Sequence, residues 1–156
     1  MEILKFPISN GMKKTIRKEN MPECARELIL HASKQERNHA VVLALSGDLG
    51  AGKTTLTKEI ASILGVVEHV SSPTFVIMKL YPLTQNSYGF KKLVHVDAYR
   101  LNSSKELFHL GWEELCADTN NLILVEWPEC VPECIPDDAI RVVLSHINED
   151  SRTISF

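Results

Sequence analysis

The sequence predicts an α/β sandwich built around a mainly parallel β-sheet with antiparallel additions. Two short, continuous apolar runs, residues 40–45 and 122–125, are typical of strands that are covered on both faces. Segments with helical spacing of apolar residues alternate with these runs, as in sheets whose strands are joined by helices. Near the end of the chain, residues 139–145 and 152–156 flank a polar turn and are typical of a closing hairpin.

The first element in order is a helix that begins after Asn20. Asn20 is a favoured N-cap residue, and Glu23 lies where a side chain can reach back to the cap. One apolar face follows at helical spacing, formed by Met21, Cys24, Ala25, Leu28, Ile29 and Ala32. We interpret this helix as scaffold.

The strongest motif follows the first apolar run. Residues 47–54 have the sequence GDLGAGKT, whose glycines allow backbone N–H groups to approach phosphate oxygens closely. A second helix is predicted to begin near Lys53, with Lys53 reaching the β- and γ-phosphates and the Thr54 hydroxyl binding Mg²⁺. This helix ends near Gly65, and its apolar face consists of Leu56, Ile60, Ile63 and Leu64. The motif predicts a P-loop NTPase-like three-layer sandwich that binds Mg-ATP.

A hairpin and a short helix are predicted next. Residues 75–81 and 92–97 are typical of strands, and the polar stretch 82–90 between them predicts a long hairpin tip. Residues 103–106, SSKE, form a capping box, which predicts a short helix that ends at Gly111.

Two carboxylates end predicted strands. Asp97 follows the mostly apolar stretch 93–96, and Glu126 follows the apolar run 122–125. A carboxylate at the end of an apolar strand is well placed to hold Mg²⁺ or to orient or deprotonate an attacking water. The sequence leaves open which of the two contacts the metal, and each has a structural alternative, as a cap or as part of the scaffold.

Four further side chains are weaker candidates. In the segment SSPT at 71–74, Thr74 could bind Mg²⁺ or phosphate, and a plain turn is the alternative. Arg100 could neutralise phosphate charge or form a surface ion pair. Trp127 could line the nucleotide pocket or pack in the core. His95 is interpreted as a half-buried strand histidine in preference to a base.

Composition narrows the class of protein. The 156 residues fit one domain, residues 1–156, and the net charge of −3 argues against direct binding of nucleic acid. The four cysteines form no C-x-x-C pair, so a zinc site is disfavoured and reduced thiols are expected. Residues 1–5 lack the apolar segment of a signal peptide, and no apolar run is long enough to span a membrane. We therefore expect a cytoplasmic protein.

Four motifs that occur in order together resemble the TsaE (also called YjeE) family. They are GDLGAGKTT at 47–55, SPTF at 72–75, HVDAYR at 95–100 and VEWPE at 125–129. Residues 106–111 also resemble the E-L-x-x-x-G segment of that family. The resemblance implies an ATPase for threonylcarbamoyladenosine modification of tRNA. Such an ATPase docks on a TsaD–TsaB-type heterodimer, and ATP hydrolysis supports repeated turnover.

The resemblance also implies roles for individual residues. Asp97 matches the metal-side aspartate of the family, Thr74 its phosphate-sensing threonine, and Glu126 with Trp127 its active-site Glu-Trp pair. The predicted catalytic residues are Lys53, Asp97 and Glu126, and the predicted metal ligands are Thr54, Asp97 and Glu126. The residues predicted to bind the nucleotide are Gly47, Asp48, Leu49, Gly50, Ala51, Gly52, Lys53, Thr54, Thr55, Thr74 and Trp127.

Three other functions compete with this one. A small-molecule kinase needs a lid that carries arginines, and this chain has little spare length and only Arg100 between the P-loop and Arg141. A GTPase is disfavoured because no Asn-Lys-x-Asp segment follows the P-loop. A nucleotide-gated binding module with negligible hydrolysis is the third alternative.

Overall fold

A seven-stranded sheet forms the centre of the molecule, in a computed structural model that describes residue 11 and residues 13–156. The strand order across the sheet is β1-β7-β6-β2-β5-β4-β3. The strands are β1 (Lys13–Arg17), β2 (Val41–Ser46), β3 (Met78–Pro82), β4 (Lys92–Asp97), β5 (Asn121–Glu126), β6 (Ile140–His146) and β7 (Ser151–Ser155).

The central strands run in parallel, as predicted. β2 lies between β5 and β6 and pairs in parallel with both, and β4 pairs in parallel with β5. The antiparallel additions are β3 beside β4, β7 beside β6, and β1 beside β7. The carboxyl ends of β2, β4 and β5 therefore meet at one edge of the sheet, which is where open α/β sheets bind their ligands.

Helices cover both faces of the sheet. The helices are α1 (Met21–Ser33), α2 (Lys53–Ile63), α3 (Ser104–Phe108) and α4 (Trp112–Ala117). The buried faces of α1 and α2 share one hydrophobic cluster with side chains of β2, β4 and β5. Leu107 of α3 and Trp112 of α4 share a second cluster with the alternate side chains of the same strands. These two clusters confirm the predicted three-layer sandwich.

The first helix has the predicted apolar face but a different start. Its six predicted apolar side chains are all buried. Asn20 makes no side-chain cap hydrogen bond, because it belongs to a short 3₁₀ turn and has φ −94° and ψ 4° instead of the extended backbone of an N-cap. At α3, Ser103 is extended but also makes no cap bond, and the Glu106 carboxylate accepts from the N–H of Asn102 at 2.9 Å.

The predicted strand 75–81 begins three residues late, at Met78. The carbonyl of Pro73 accepts hydrogen bonds from the N–H groups of Val76 and Ile77, which closes a turn before the strand. Phe75 and Val76 are 84% and 64% exposed. Phe75 and Val76 therefore face solvent next to the carboxyl edge of the sheet instead of joining the core.

The prediction of a cytoplasmic protein used residues 1–5, which lie outside the described residues. Among the residues that are described, no helix is both long and apolar enough to cross the bilayer. The four cysteines form no disulfide in this part of the chain. Burial raises the pKa of each of their thiols above its ordinary value.

Candidate functional site

The glycine loop connects β2 to the start of α2. Gly47 has φ 153°, and a Cβ atom there would lie 2.5 Å from the carbonyl oxygen of Leu144, so only glycine fits. Gly52 has φ 105° and precedes Lys53, the first residue of α2. No side chain caps this helix start. Its first backbone N–H groups and the positive end of the helix dipole form a site suited to an anion.

Lys53 folds back over the loop. Its ammonium group donates hydrogen bonds to the carbonyls of Gly47 and Asp48, and it lies 4.1 Å from the centre of the Trp127 ring. Burial lowers the pKa of Lys53, and the carboxylate of Glu126 is the largest of the charges that oppose this shift. A phosphate group bound at the helix start would offer the ammonium group a partner with a full negative charge. This partner would replace the two carbonyl dipoles that the ammonium group contacts here.

Thr54, Glu126 and His95 form a continuous hydrogen-bonded group. The Thr54 hydroxyl lies 3.2 and 3.1 Å from the two carboxylate oxygens of Glu126. His95 Nε2 lies 2.7 Å from Oε1 of the same carboxylate. Glu126 is 2% exposed and His95 is fully buried. The prediction of a half-buried histidine is therefore wrong, because His95 faces the covered side of β4 under the site.

Asp97 connects the segment 71–74 to the sheet. Its Oδ2 accepts hydrogen bonds from Ser72 Oγ at 2.9 Å and from Thr74 Oγ1 at 2.7 Å. Its Oδ1 accepts from the N–H of Tyr99 at 3.0 Å. Thr74 thus lies in a turn and also contacts a predicted site carboxylate through its hydroxyl.

The pairing of β4 with β5 brings the two carboxylates together. Asp97 and Glu126 are register partners at the ends of these strands, and Glu126 is also opposite Leu45, two residues before the glycine loop. A threonine hydroxyl and two carboxylates are hard oxygen ligands of the kind that Mg²⁺ prefers. Among the described residues, no group of three His, Cys, Asp or Glu side chains could hold a metal. The chemistry of one hydroxyl and two carboxylates suits Mg²⁺ that keeps several water or phosphate ligands.

Trp127 and Arg100 occupy different environments. Trp127 has the left-handed backbone angles φ 59° and ψ 51°, and its ring lies beside Tyr99, with 4.9 Å between ring centres. This conformation places the indole along the cleft, over Lys53. Arg100 is exposed and its guanidinium lies 4.5 Å from the ring centre of Phe75, outside the cleft.

A cleft of about 500 Å³ lies over these groups. Three residues predicted to bind the nucleotide do not line it, namely Gly47, Asp48 and Ala51. The remaining predicted residues line the cleft, namely Leu49, Gly50, Gly52, Lys53, Thr54, Thr55, Thr74, Asp97, Glu126 and Trp127.

Sequence reasoning missed two cations of the cleft, Lys18 and Arg152. Arg152 is 7% exposed, and its Nη1 donates to the carbonyls of Asn148 and Ser151 at 2.6 and 2.8 Å. Neither cation forms a salt bridge with a carboxylate within the described part of the chain. No local signal in the sequence pointed to this end of the cleft, because Arg152 is one of several polar residues in β7.

Comparison with known proteins finds relatives along most of the chain. The profile of the family described as "Threonylcarbamoyl adenosine biosynthesis protein TsaE" matches residues 15–154. A Bacillus subtilis (strain 168) protein named tRNA threonylcarbamoyladenosine biosynthesis protein TsaE is 40% identical over 115 residues, which are 74% of this chain and 68% of that protein. A Rickettsia felis protein of the same name is 36% identical over 116 residues, which are 74% of this chain and 64% of that protein.

The fold has a counterpart among solved structures. The crystal structure of Bacillus subtilis YdiB superimposes with a TM-score of 0.69 at 30% sequence identity, covering 97% of this chain and 87% of that chain. This similarity agrees with the predicted α/β fold of P-loop type. Since the family profile matches nearly the whole chain and the curated relatives carry the same name, this protein belongs to the TsaE family.

Proposed function

We propose that this chain is a Mg²⁺-dependent ATP hydrolase that acts, as a single cytoplasmic domain, in threonylcarbamoyladenosine modification of tRNA. The observation that carries the proposal is one cleft in which Lys53 and Thr54 at the start of α2 face the carboxylates of Asp97 and Glu126. Lys53 and Thr54 provide what binding of phosphates needs. Hydrolysis also needs an oxygen ligand for the metal and a group that acts on water, and Asp97 and Glu126 can provide these.

The residues that line the cleft suggest how ATP lies in it. The β- and γ-phosphates belong at Lys53 and the helix start, with the γ end toward Thr74 and the two carboxylates. Lys18 and Arg152 line the same cleft on the other side of β2, because β1 and β7 lie across the sheet from β5 and β4. We therefore orient the nucleotide with its base at these two cations, where a guanidinium or ammonium group can bind the face or edge of a ring.

Thr54, Asp97 and Glu126 would hold Mg²⁺, directly or through water. The ion would neutralise charge on the β- and γ-phosphate oxygens. Asp97 also holds the hydroxyls of Ser72 and Thr74, so it couples the metal side of the site to the segment that would sense the γ-phosphate. Glu126, held from two sides, is suited to orient or deprotonate the attacking water.

The γ-phosphate end of the cleft lacks an arginine in the described part of the chain. Arg152 lines the opposite end, and Arg100 is stacked on exposed Phe75. Arginine supplied to a P-loop site raises the hydrolysis rate by about 10³- to 10⁵-fold. We therefore propose slow hydrolysis by the isolated protein and stimulation by a TsaD–TsaB-type heterodimer, which either moves Arg100 or contributes its own residue. The net charge of −3 favours indirect contact with tRNA.

The test combines turnover with binding. Steady-state phosphate release is measured with and without the heterodimer, and affinity for the heterodimer is measured with ATP, with ADP and without nucleotide. We expect stimulated release and an affinity that depends on nucleotide, because coupling between two ligands is reciprocal. Equal release in both assays together with nucleotide-independent binding would contradict the role of the partner, and phosphate transfer to a small molecule would favour a kinase.

A further inference from the structure

His95 is a buried polar residue to which the proposed reaction gives no role. Its side chain is fully buried, and its Nε2 lies 2.7 Å from Oε1 of Glu126. Its other ring nitrogen, Nδ1, is also buried and has no hydrogen-bond partner among the described residues. Within the described part of the chain, Glu126 is thus the one hydrogen-bonding contact that accounts for a histidine, instead of an apolar residue, at this position of β4.

The register of β4 against β5 produces this contact. His95 is opposite Leu124, and Asp97 is opposite Glu126, so His95 and Glu126 are diagonal neighbours. Alternate residues of a strand share a face, and Leu93 and Leu124 belong to the cluster that packs against α1 and α2. Both side chains therefore lie on the α2 side of the sheet, below the helix start.

The chemistry of the two contacts of Glu126 differs. An ionised carboxylate only accepts hydrogen bonds, so toward such a carboxylate the Thr54 hydroxyl is a donor, and His95 is assigned the tautomer that carries its proton on Nε2. Thr54 is also a proposed Mg²⁺ ligand and would turn its oxygen lone pairs to the ion. The same hydroxyl could still donate to Glu126 while it holds the ion, but it would then serve two partners, whereas the contact from fully buried His95 does not depend on the metal.

We propose that His95 is a positioning residue that fixes the orientation of the Glu126 carboxylate for the attack of water on ATP. The inference rests on the proposed ATP hydrolysis. It requires a hydrogen-bond donor at the position of Nε2, and it requires no contact between the imidazole and the nucleotide.

Three substitutions of His95 separate positioning from packing. His95→Gln keeps an N–H donor near the position of Nε2, His95→Asn has a donor that is too short to reach Glu126, and His95→Met has none. We measure kcat and KM by phosphate release, ATP affinity by tryptophan fluorescence, and Tm. His95→Asn and His95→Met should lower kcat about 10- to 100-fold, the usual effect of removing a group that orients an active residue, with KM and ATP affinity little changed. His95→Gln should recover most of kcat.

Two further variants complete the test. In a Glu126→Gln background, His95→Met should cause no additional loss of kcat, because its effect acts through Glu126. Leu93→Met is a conservative change on the same strand and face. It should retain the kcat of the wild type even if it changes Tm. If His95→Met does not fold, the comparison between His95→Gln and His95→Asn decides whether a donor at the position of Nε2 is required, since both side chains carry an amide.

The results that overturn the inference are distinct from those that overturn the proposed function. Two results would contradict the positioning role alone, provided that the wild type hydrolyses ATP. One is an equal kcat for His95→Gln and His95→Asn. The other is a loss of kcat from His95→Met that adds to the loss from Glu126→Gln. Absence of ATP hydrolysis in the wild type, with and without the heterodimer, would remove the proposed function and this inference with it.

Discussion

The Thr54 hydroxyl donates to both oxygens of the Glu126 carboxylate, at 3.2 and 3.1 Å, although the two residues are 72 positions apart in the chain. This contact joins the first turn of α2 to the end of β5 and closes the site between the glycine loop and the central sheet. In the proposed function, a metal ion held by an oxygen lone pair of Thr54 would leave this O–H free to donate to Glu126, so the proposed metal ligand and the proposed water-orienting group are direct neighbours.

The two carboxylates should separate by role. Glu126→Gln should lower kcat by about 10²- to 10⁴-fold, the usual range for loss of a general base, while ATP affinity stays near that of the wild type. Asp97→Asn should in addition raise the Mg²⁺ concentration needed for half-maximal rate by about tenfold or more. Magnesium titrations of phosphate release measure both effects. Normal turnover of Glu126→Gln would rule out the proposed role of Glu126 in orienting or deprotonating the attacking water.

Trp127 should report nucleotide binding. Its indole lies over Lys53 in the cleft, so ATP or ADP should change its fluorescence. Trp112 offers a matched control, because it is 3% exposed on the other face of the sheet and donates its indole N–H to Cys134. Trp112→Phe should keep the nucleotide response and Trp127→Phe should lose it. A full response in Trp127→Phe would mean that the indole does not border the nucleotide.

Lys18 should contribute to binding of the base end of ATP but not to binding of phosphates. Lys18→Ala should weaken ATP binding about two- to fivefold, the range expected for an exposed cation on an aromatic ring, and should leave binding of inorganic tripolyphosphate unchanged. Arg17→Ala is the matched control, since Arg17 is an exposed neighbour that does not line the cleft. Isothermal titration gives both affinities. An equal loss for ATP and tripolyphosphate would reverse the proposed orientation of the nucleotide.

Cys116 should resist alkylation in the folded protein. Burial, and to a smaller extent nearby Cys134, raises the pKa of the Cys116 thiol to about 12 from an ordinary value of 9.0. A raised pKa means less thiolate at a given pH, so at pH 8 the thiolate fraction falls about a thousandfold. Iodoacetamide labelling followed by mass spectrometry should show slow reaction in buffer and fast reaction in urea. Fast labelling of Cys116 in the folded protein at pH 8 would contradict the buried environment and the raised pKa of this thiol.

Features encoded locally could be predicted from the sequence. The spacing of the glycines and Lys53 fixes the loop and the helix start, and α2 begins at the predicted residue. Glu126 follows a continuous apolar run and Asp97 follows a mostly apolar stretch, and both are the last residues of their strands. These elements follow from neighbours in the chain, which is why pattern alone located them.

Features that depend on strand register could not be predicted. The contact of His95 with Glu126 exists because β4 and β5 pair in one particular register. Lys18 reaches the cleft because β1 pairs with β7, and its N–H donates to the carbonyl of Asp150. Arg152 is brought to the same place by β7. The sequence carries no local mark of these long-range pairings.

The most direct test of the account is phosphate release from Mg-ATP by the wild type and by Lys53→Met. This substitution keeps most of the side-chain length. It removes an ammonium group whose pKa is lowered by burial, which means that its charge is disfavoured in the folded protein, so the substitution should not reduce Tm. The wild type should release phosphate slowly in the presence of Mg²⁺ and not after chelation by EDTA, and Lys53→Met should show background release while remaining folded. Equal phosphate release by folded Lys53→Met and the wild type would contradict the assignment of this cleft as the ATPase site.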